Sequence, residues 1–235
     1  MPSAVKPYFN EAGLAFLRSL KRNNDREWFN ARKPIYEAEV KEPMLALIQA
    51  INEELTGFAP EFVRDPAKCM FRIYRDTRFS KDKVPYKDHA AAWWVRQGLG
   101  KTSGAGFYFE LNPIQITVAA GCYMPEREQL LAIRRHLLGR HEEFRKLAGA
   151  KKLKALGMTA FEPARTTRPP KGFPADHPAI DLIAQRQWGL AARLPAELAL
   201  GPGLAGEVVD RFRAAAPLVA LLNEPLIPAP NASLW

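Results

Sequence analysis

GFYFELNPIQITVAAGCY, residues 106–123, holds the clearest alternation in the chain and decides its fold class. Phe107, Phe109 and Leu111 fall on one side of an extended backbone, with Tyr108 and Glu110 on the other, because successive strand side chains point to opposite faces. After Asn112-Pro113, the set Ile114, Ile116 and Val118 repeats that apolar side against Gln115 and Thr117. Two alternating runs joined by Asn-Pro read as a β-hairpin. One oily face and one mixed face describe an antiparallel or mixed sheet packed against several helices.

Working outward, Cys69, Phe71 and Ile73 alternate with Met70, Arg72 and Tyr74, which predicts a third strand and a sheet core over about 69–123. Residues 8–56 read as helical. Asn10 caps a first helix carrying Leu14, Phe16, Leu17 and Leu20, and Asn23-Asn24 breaks it. Asn24 with Glu27 three residues on is the spacing of a capping box. Beyond it Ile35, Tyr36, Val40, Met44, Ile48, Ile51 and Leu55 recur at helical spacing, with breaks or restarts expected at Pro34 and Pro43. Residues 125–223 read as a helical C-terminal part. A helix begins at Pro125-Glu126 and ends at Gly139, a second covers about 141–156, a third 179–188 and a last 205–223. The proline-rich 162–178 stretch is a loop. The sum is a single α+β domain over residues 1–235.

The chain has 235 residues, 47% of them apolar, enough for a substantial core. Its two cysteines cannot make a disulfide framework. No secretory signal and no apolar run of transmembrane length is present, so the expected setting is cytoplasmic, away from the membrane. Oligomeric state leaves no signature in the sequence. No GxGxxG follows an expected strand, no GxxxxGK[ST], GxSxG or HExxH occurs, and the cysteines lack the spacing of a zinc site. No cofactor and no metal is therefore expected.

The formal net charge is +9, and residues 68–88 alone carry seven basic side chains against three acidic ones. A field of this sign favours anionic partners. Within FRIYRDTRFSKDKVPYKDH (71–89), Arg75 lies on the side of Phe71 and Ile73, so it needs a partner, with Asp76 and Glu110 as candidates. Arg78, Lys83 and Lys87 follow in a wet loop. Arginine suits bidentate recognition of phosphate or carboxylate, and lysine adds a mobile point charge. Tyr74, Phe79, Tyr86, Trp93 and Trp94 are interleaved with them, the composition of a stacking platform as well as of a strand-end core. The loop at 162–178 adds Arg165, Arg168 and Lys171, followed by Asp176 and His177 where a helix begins. Either of those two can cap it.

NNDREWFNARKPIYE (23–37), FRIYRDTRFSKDKVPYKDH (71–89), GFYFEL (106–111) and RPPKGFPADHP (168–178) together resemble the family catalogued as domain of unknown function 2461, in order and in spacing, over roughly residues 8–223. The resemblance implies that the three polar stretches belong to one architecture. The family has no assigned activity, so no catalytic residue carries over.

Three functions fit. The first is binding of an anionic small molecule, phosphorylated or carboxylate, through Arg26, Arg72, Arg75, Arg78, Lys83, Lys87, Arg168 and Lys171. Nucleic acid is a less well supported partner, because no recognised reading element is present. The second is a hydrolase or transferase acting on a phosphorylated substrate, with Asp76, His89, Asp176 and His177 as candidate catalytic groups. The third is an interaction protein with an apolar patch at Trp93 and Trp94.

Overall fold

The computed structural model describes residues 6–78, 81–99, 104–162, 164–166 and 170–227. It shows the α+β class: several helices and a five-stranded antiparallel sheet. The strands are β1 (Ala90–Val95), β2 (Gly106–Leu111), β3 (Gln115–Cys122), β4 (Thr159–Ala160) and β5 (Trp188–Pro195), in the order β1-β2-β3-β5-β4. The chain divides into two compact units, one of Met1–Trp94, Tyr108–Val118 and Arg193–Asp210, the other of Val95–Phe107, Ala119–Ala192 and Arg211–Trp235.

In the first unit, helix α1 (Glu11–Arg22) starts where the Asn10 side chain accepts from the Gly13 amide, as expected. Helix α2 (Arg26–Tyr36) is capped by Asp25, whose carboxylate accepts from Trp28 N. Asn24 is not the cap. Its side chain turns to the chain 62 residues on, accepting from Tyr86 N at 3.0 Å and donating to Tyr86 O at 3.1 Å. No break occurs at Pro34, which lies inside α2, while Pro43 stands in the first turn of a new α-helical stretch, the expected restart. A π-helical turn, Glu37–Lys41, joins α2 directly to α3 (Glu42–Leu55). Pro43 has no N–H to give the Glu39 carbonyl, and the wider turn accommodates its ring. α1 lies close enough there that a Cβ on Gly13 would meet Glu39 O.

The strand expected from Cys69 onward does not form. Cys69 ends a short helix, α4 (Pro66–Cys69), and residues 70–75 pair with 85–92 only through isolated bridges, Met70 with Ala92 and Tyr74 with Tyr86. Backbone bonds from Phe71 N to Ala91 O, Arg75 N to Pro85 O and Lys87 N to Ile73 O hold this irregular hairpin. The sheet therefore begins at Ala90, not near 69. Trp94 in β1 is fully buried and donates its indole N–H to Asn52 Oδ1 at 3.0 Å, while Asn52 donates to Arg64 O.

The β2–β3 hairpin has the expected faces: Phe107, Phe109, Leu111, Ile116 and Val118 are all buried, and Tyr108, Glu110, Gln115 and Thr117 are partly exposed. Ile114 departs from this and is 70% exposed. Asn112 Oδ1 accepts from both Ile114 N and Gln115 N, so Ile114 belongs to the turn and not to the strand.

In the second unit the helical path is interrupted directly after Gly139, where the first helix was expected to end. α5 runs Arg127–Ala148 with a kink at Arg140 (φ −123°, ψ 16°), whose guanidinium binds Glu143 and Glu224. Helix α6 (Lys151–Ala155) follows. The helix expected over 179–188 is one turn, α7 (Ile180–Ile183), and Trp188 opens β5 instead. Gly121 and Gly189 make close backbone approach possible: a Cβ on Gly121 would lie 2.3 Å from Trp188 O. The closing helix α8 (Leu204–Asn223) matches the expected 205–223. Asn223, also of the second unit, is buried, accepts from Ala105 N and donates to Ala105 O.

Candidate functional site

The basic stretch of the first unit is pinned more thoroughly than its composition suggests. Arg78 forks onto Asp76, with Nε to Oδ1 at 3.0 Å and Nη2 to Oδ2 at 2.8 Å, while remaining exposed. Arg75 donates from Nη1 to Asp82 Oδ2 at 2.6 Å, so its partner is neither Asp76 nor Glu110. Lys83 donates to the Thr77 carbonyl and Lys87 to the Arg72 carbonyl, each at 2.9 Å. Much of the loop's charge is thus spent on holding its own turns.

Two clefts border this loop. The first, about 310 Å³, is lined by Arg26, Asn30, Tyr74, Arg75, Thr77, Pro85 and Tyr86. Arg26 and Arg75 line it together with neutral residues, and no acidic residue is among them. Arg26 and Asn30 come from the first turns of α2, and Arg75, Thr77 and Tyr86 from the irregular hairpin. The Asn24 clamp on Tyr86 and the stacking of Tyr86 on Phe29, with centroids 4.1 Å apart, fix the two elements against each other. The second cleft, about 410 Å³, shares Arg75 and Tyr86 with the first and adds Lys21, Asn24, Asp82, Val84, Lys87, Asp88 and His89. Its charges are mixed in sign.

Of the residues expected to bind, Arg26, Arg75 and Lys87 reach these clefts, and Arg72, Arg78 and Lys83 line neither. Arg168 lies outside the described residues. Lys171 belongs to the second unit and is exposed.

The candidate catalytic groups differ in standing. Arg78 holds the Asp76 carboxyl down to about 2, through side-chain and backbone hydrogen bonds; so weak a base removes few protons at neutral pH. Asp176 is exposed and His177 Nδ1 accepts from Ala179 N at 3.1 Å, but neither side chain caps α7, whose N-cap is Ala179. His89 is the group with an organised surround. Its Nδ1 lies 3.2 Å from Asp88 Oδ1 and its Nε2 lies 3.8 Å from Glu110 Oε2. Glu110 is itself held by the Tyr108 hydroxyl at 2.7 Å and by Asn112 Nδ2 at 3.2 Å. Sequence reading missed Asn30, Thr77 and the Glu110–His89 pairing. The polar face of β2 was the available signal for the last.

A model of the family described as "Conserved hypothetical protein (DUF2461)" matches residues 12–220. The chain belongs to this family. The DUF2461 match contains the 23–37, 71–89, 106–111 and 168–178 stretches whole. No curated protein matches the chain.

Among the described residues, no group of three or more His, Cys, Asp or Glu side chains is placed to hold a metal ion, and no helix is long and apolar enough to cross a membrane. Trp94 is fully buried and Trp93 is partly exposed beside Tyr108, with centroids 6.2 Å apart, so the pair forms no joint surface patch. Burial pushes the Cys122 thiol up to about 12 and the Cys69 thiol up to about 11, the latter partly countered by Arg64. The thiolate is the reactive form. Both cysteines of the native protein are therefore expected to resist Ellman's reagent at pH 8 over minutes and to react fully in denaturant. Rapid native labelling of either would contradict their burial.

Proposed function

We propose that this chain binds a small phosphorylated or carboxylate ligand in the cleft between Arg26 and Arg75. One observation carries the reading: two guanidinium groups share a cleft with Asn30, Thr77 and Tyr74, and none of its lining residues is acidic. Asp82 takes one donor of Arg75 from outside the lining; the remaining Arg75 donors together with Arg26 favour an anion between them, and arginine supplies the fork that matches phosphate and carboxylate. A cleft of about 310 Å³ is the size of a metabolite site, not of a nucleic-acid groove. Arg78, Lys83 and Lys87, which would otherwise extend a basic track, are engaged within the loop. A cytoplasmic setting suits two buried free thiols.

The test is thermal unfolding with pyrophosphate, a sugar bisphosphate, a tricarboxylate and a short single-stranded oligonucleotide, each at low and high salt. A small anion at about a hundred times its Kd is expected to stabilise by about 2.7 kcal/mol. Arg26→Gln should weaken that ligand roughly 10- to 100-fold, the loss of one charge-assisted hydrogen bond. No shift with any small anion, or a shift with the oligonucleotide alone, would overturn the proposal.

The alternative of a phosphoryl hydrolase or transferase draws on one observation, the Asp88–His89–Glu110 array at the adjoining cleft. It predicts release of phosphate from a bound phosphoester, lost in His89→Gln.

A further inference from the structure

Lys87 is set apart from the lysines around it. Lys21 pairs with Asp88 at 3.6 Å and Lys33 with Glu37 at 3.9 Å, while Lys83 is exposed. Lys87 is half-buried, lines the 410 Å³ cleft, and has no carboxylate within ion-pair distance among the described residues. Its Nζ is held at a defined place, 2.9 Å from the Arg72 carbonyl and 4.9 Å from the centroid of the Phe71 ring. Burial, followed by the nearby Arg72 charge, lowers its pKa from the ordinary lysine value. Desolvation beside a second cation is the setting in which an ammonium gives up its proton and becomes a nucleophile. The cleft is also lined by Asp82, Asp88 and His89, and by Arg75, which it shares with the anion cleft.

We propose that Lys87 is a carbonyl-condensing amine, and that its partner is an aldehyde or 2-oxo compound whose carboxylate or phosphate rests on Arg75. The anion part rests on the proposed function; the amine part does not. The lone pair of neutral Nζ attacks the carbonyl carbon, and the C=O π pair moves to oxygen, which takes up a proton. The carbinolamine then loses its oxygen as water, the two amine hydrogens leaving with it in net, and a C=N bond to Lys87 remains. No oxidant or other co-reactant is needed.

The full chain is incubated separately with glyoxylate, glyceraldehyde 3-phosphate and neutral propionaldehyde under cyanoborohydride, which reduces any imine to a stable secondary amine. Peptide mapping at low total labelling then ranks the lysines. Lys87 is expected to be labelled at least several-fold more than Lys83, because its lowered pKa leaves more of it as free amine. Preference for glyoxylate would assign a carboxylate partner, and preference for the phosphate aldehyde a phosphorylated one. Labelling of Lys87 no greater than that of exposed lysines would overturn the proposal. Selective labelling of Lys87 that is equal with propionaldehyde would uphold the amine and remove the anion from Arg75.

Discussion

Trp94→Ala is expected to cost the first unit about 5 kcal/mol, a figure built from two losses. Emptying the space of a fully buried tryptophan costs about 3–5 kcal/mol in itself, and Trp94 has no solvent exposure. Its indole N–H is also the donor to Asn52 Oδ1, and Asn52 is itself buried. Leaving that acceptor without a partner adds about 1–3 kcal/mol. Trp94→Phe separates the two, since it keeps much of the volume and loses the donor. Urea denaturation should rank wild type above Trp94→Phe and Trp94→Phe above Trp94→Ala. A cost below about 1 kcal/mol for the alanine variant, the range of surface positions, would show that Trp94 is not in the core.

Gly121→Ala is the second large effect, on the order of 3 kcal/mol, and its cause is backbone geometry. Gly121 sits at φ +143°, and an added Cβ would lie 2.3 Å from Trp188 O and 2.4 Å from Gly189 Cα. Both obstacles are main chain, so neither can rotate away; strand β3 or β5 must shift. Gly139→Ala is the matched control. It lies in α5 one residue before the kink at Arg140, with nothing near its added methyl, and there alanine should stabilise by up to about 1 kcal/mol through helix propensity. Opposite signs for the two substitutions in thermal melts are expected. A neutral Gly121→Ala would contradict the close approach of the strands.

How much of this was legible beforehand follows the strength of local periodicity. The hairpin around Asn112 and the closing helix were readable because their apolar spacing and turn chemistry agree. β1 and β5 were not, since AAAWWV and WGLA are buried on both sides and lose the period-two signal. Gly139 and Pro43 are legible as punctuation: the helical backbone is interrupted at Arg140, and Pro43 stands in the first turn of α3, whereas Pro34 lies inside α2 without a break.

The site divides in the same way. That Arg75 would need a partner follows from its place in the pattern, but Asp82 as that partner depends on how the loop folds back. Arg26 entered as one cation among many, and its meeting with Arg75 across 49 positions of sequence is a tertiary fact. The Asn24 clamp on Tyr86 is another, invisible because a capping box explains Asn24 locally.

The most direct test of the anion cleft is anomalous diffraction from crystals soaked at low ionic strength in tungstate, a tetrahedral oxyanion that resembles phosphate. An anomalous peak is expected within hydrogen-bonding distance of both the Arg26 and Arg75 guanidinium groups, absent from Arg26→Gln crystals. Tungstate bound elsewhere on the protein with this cleft empty would contradict it.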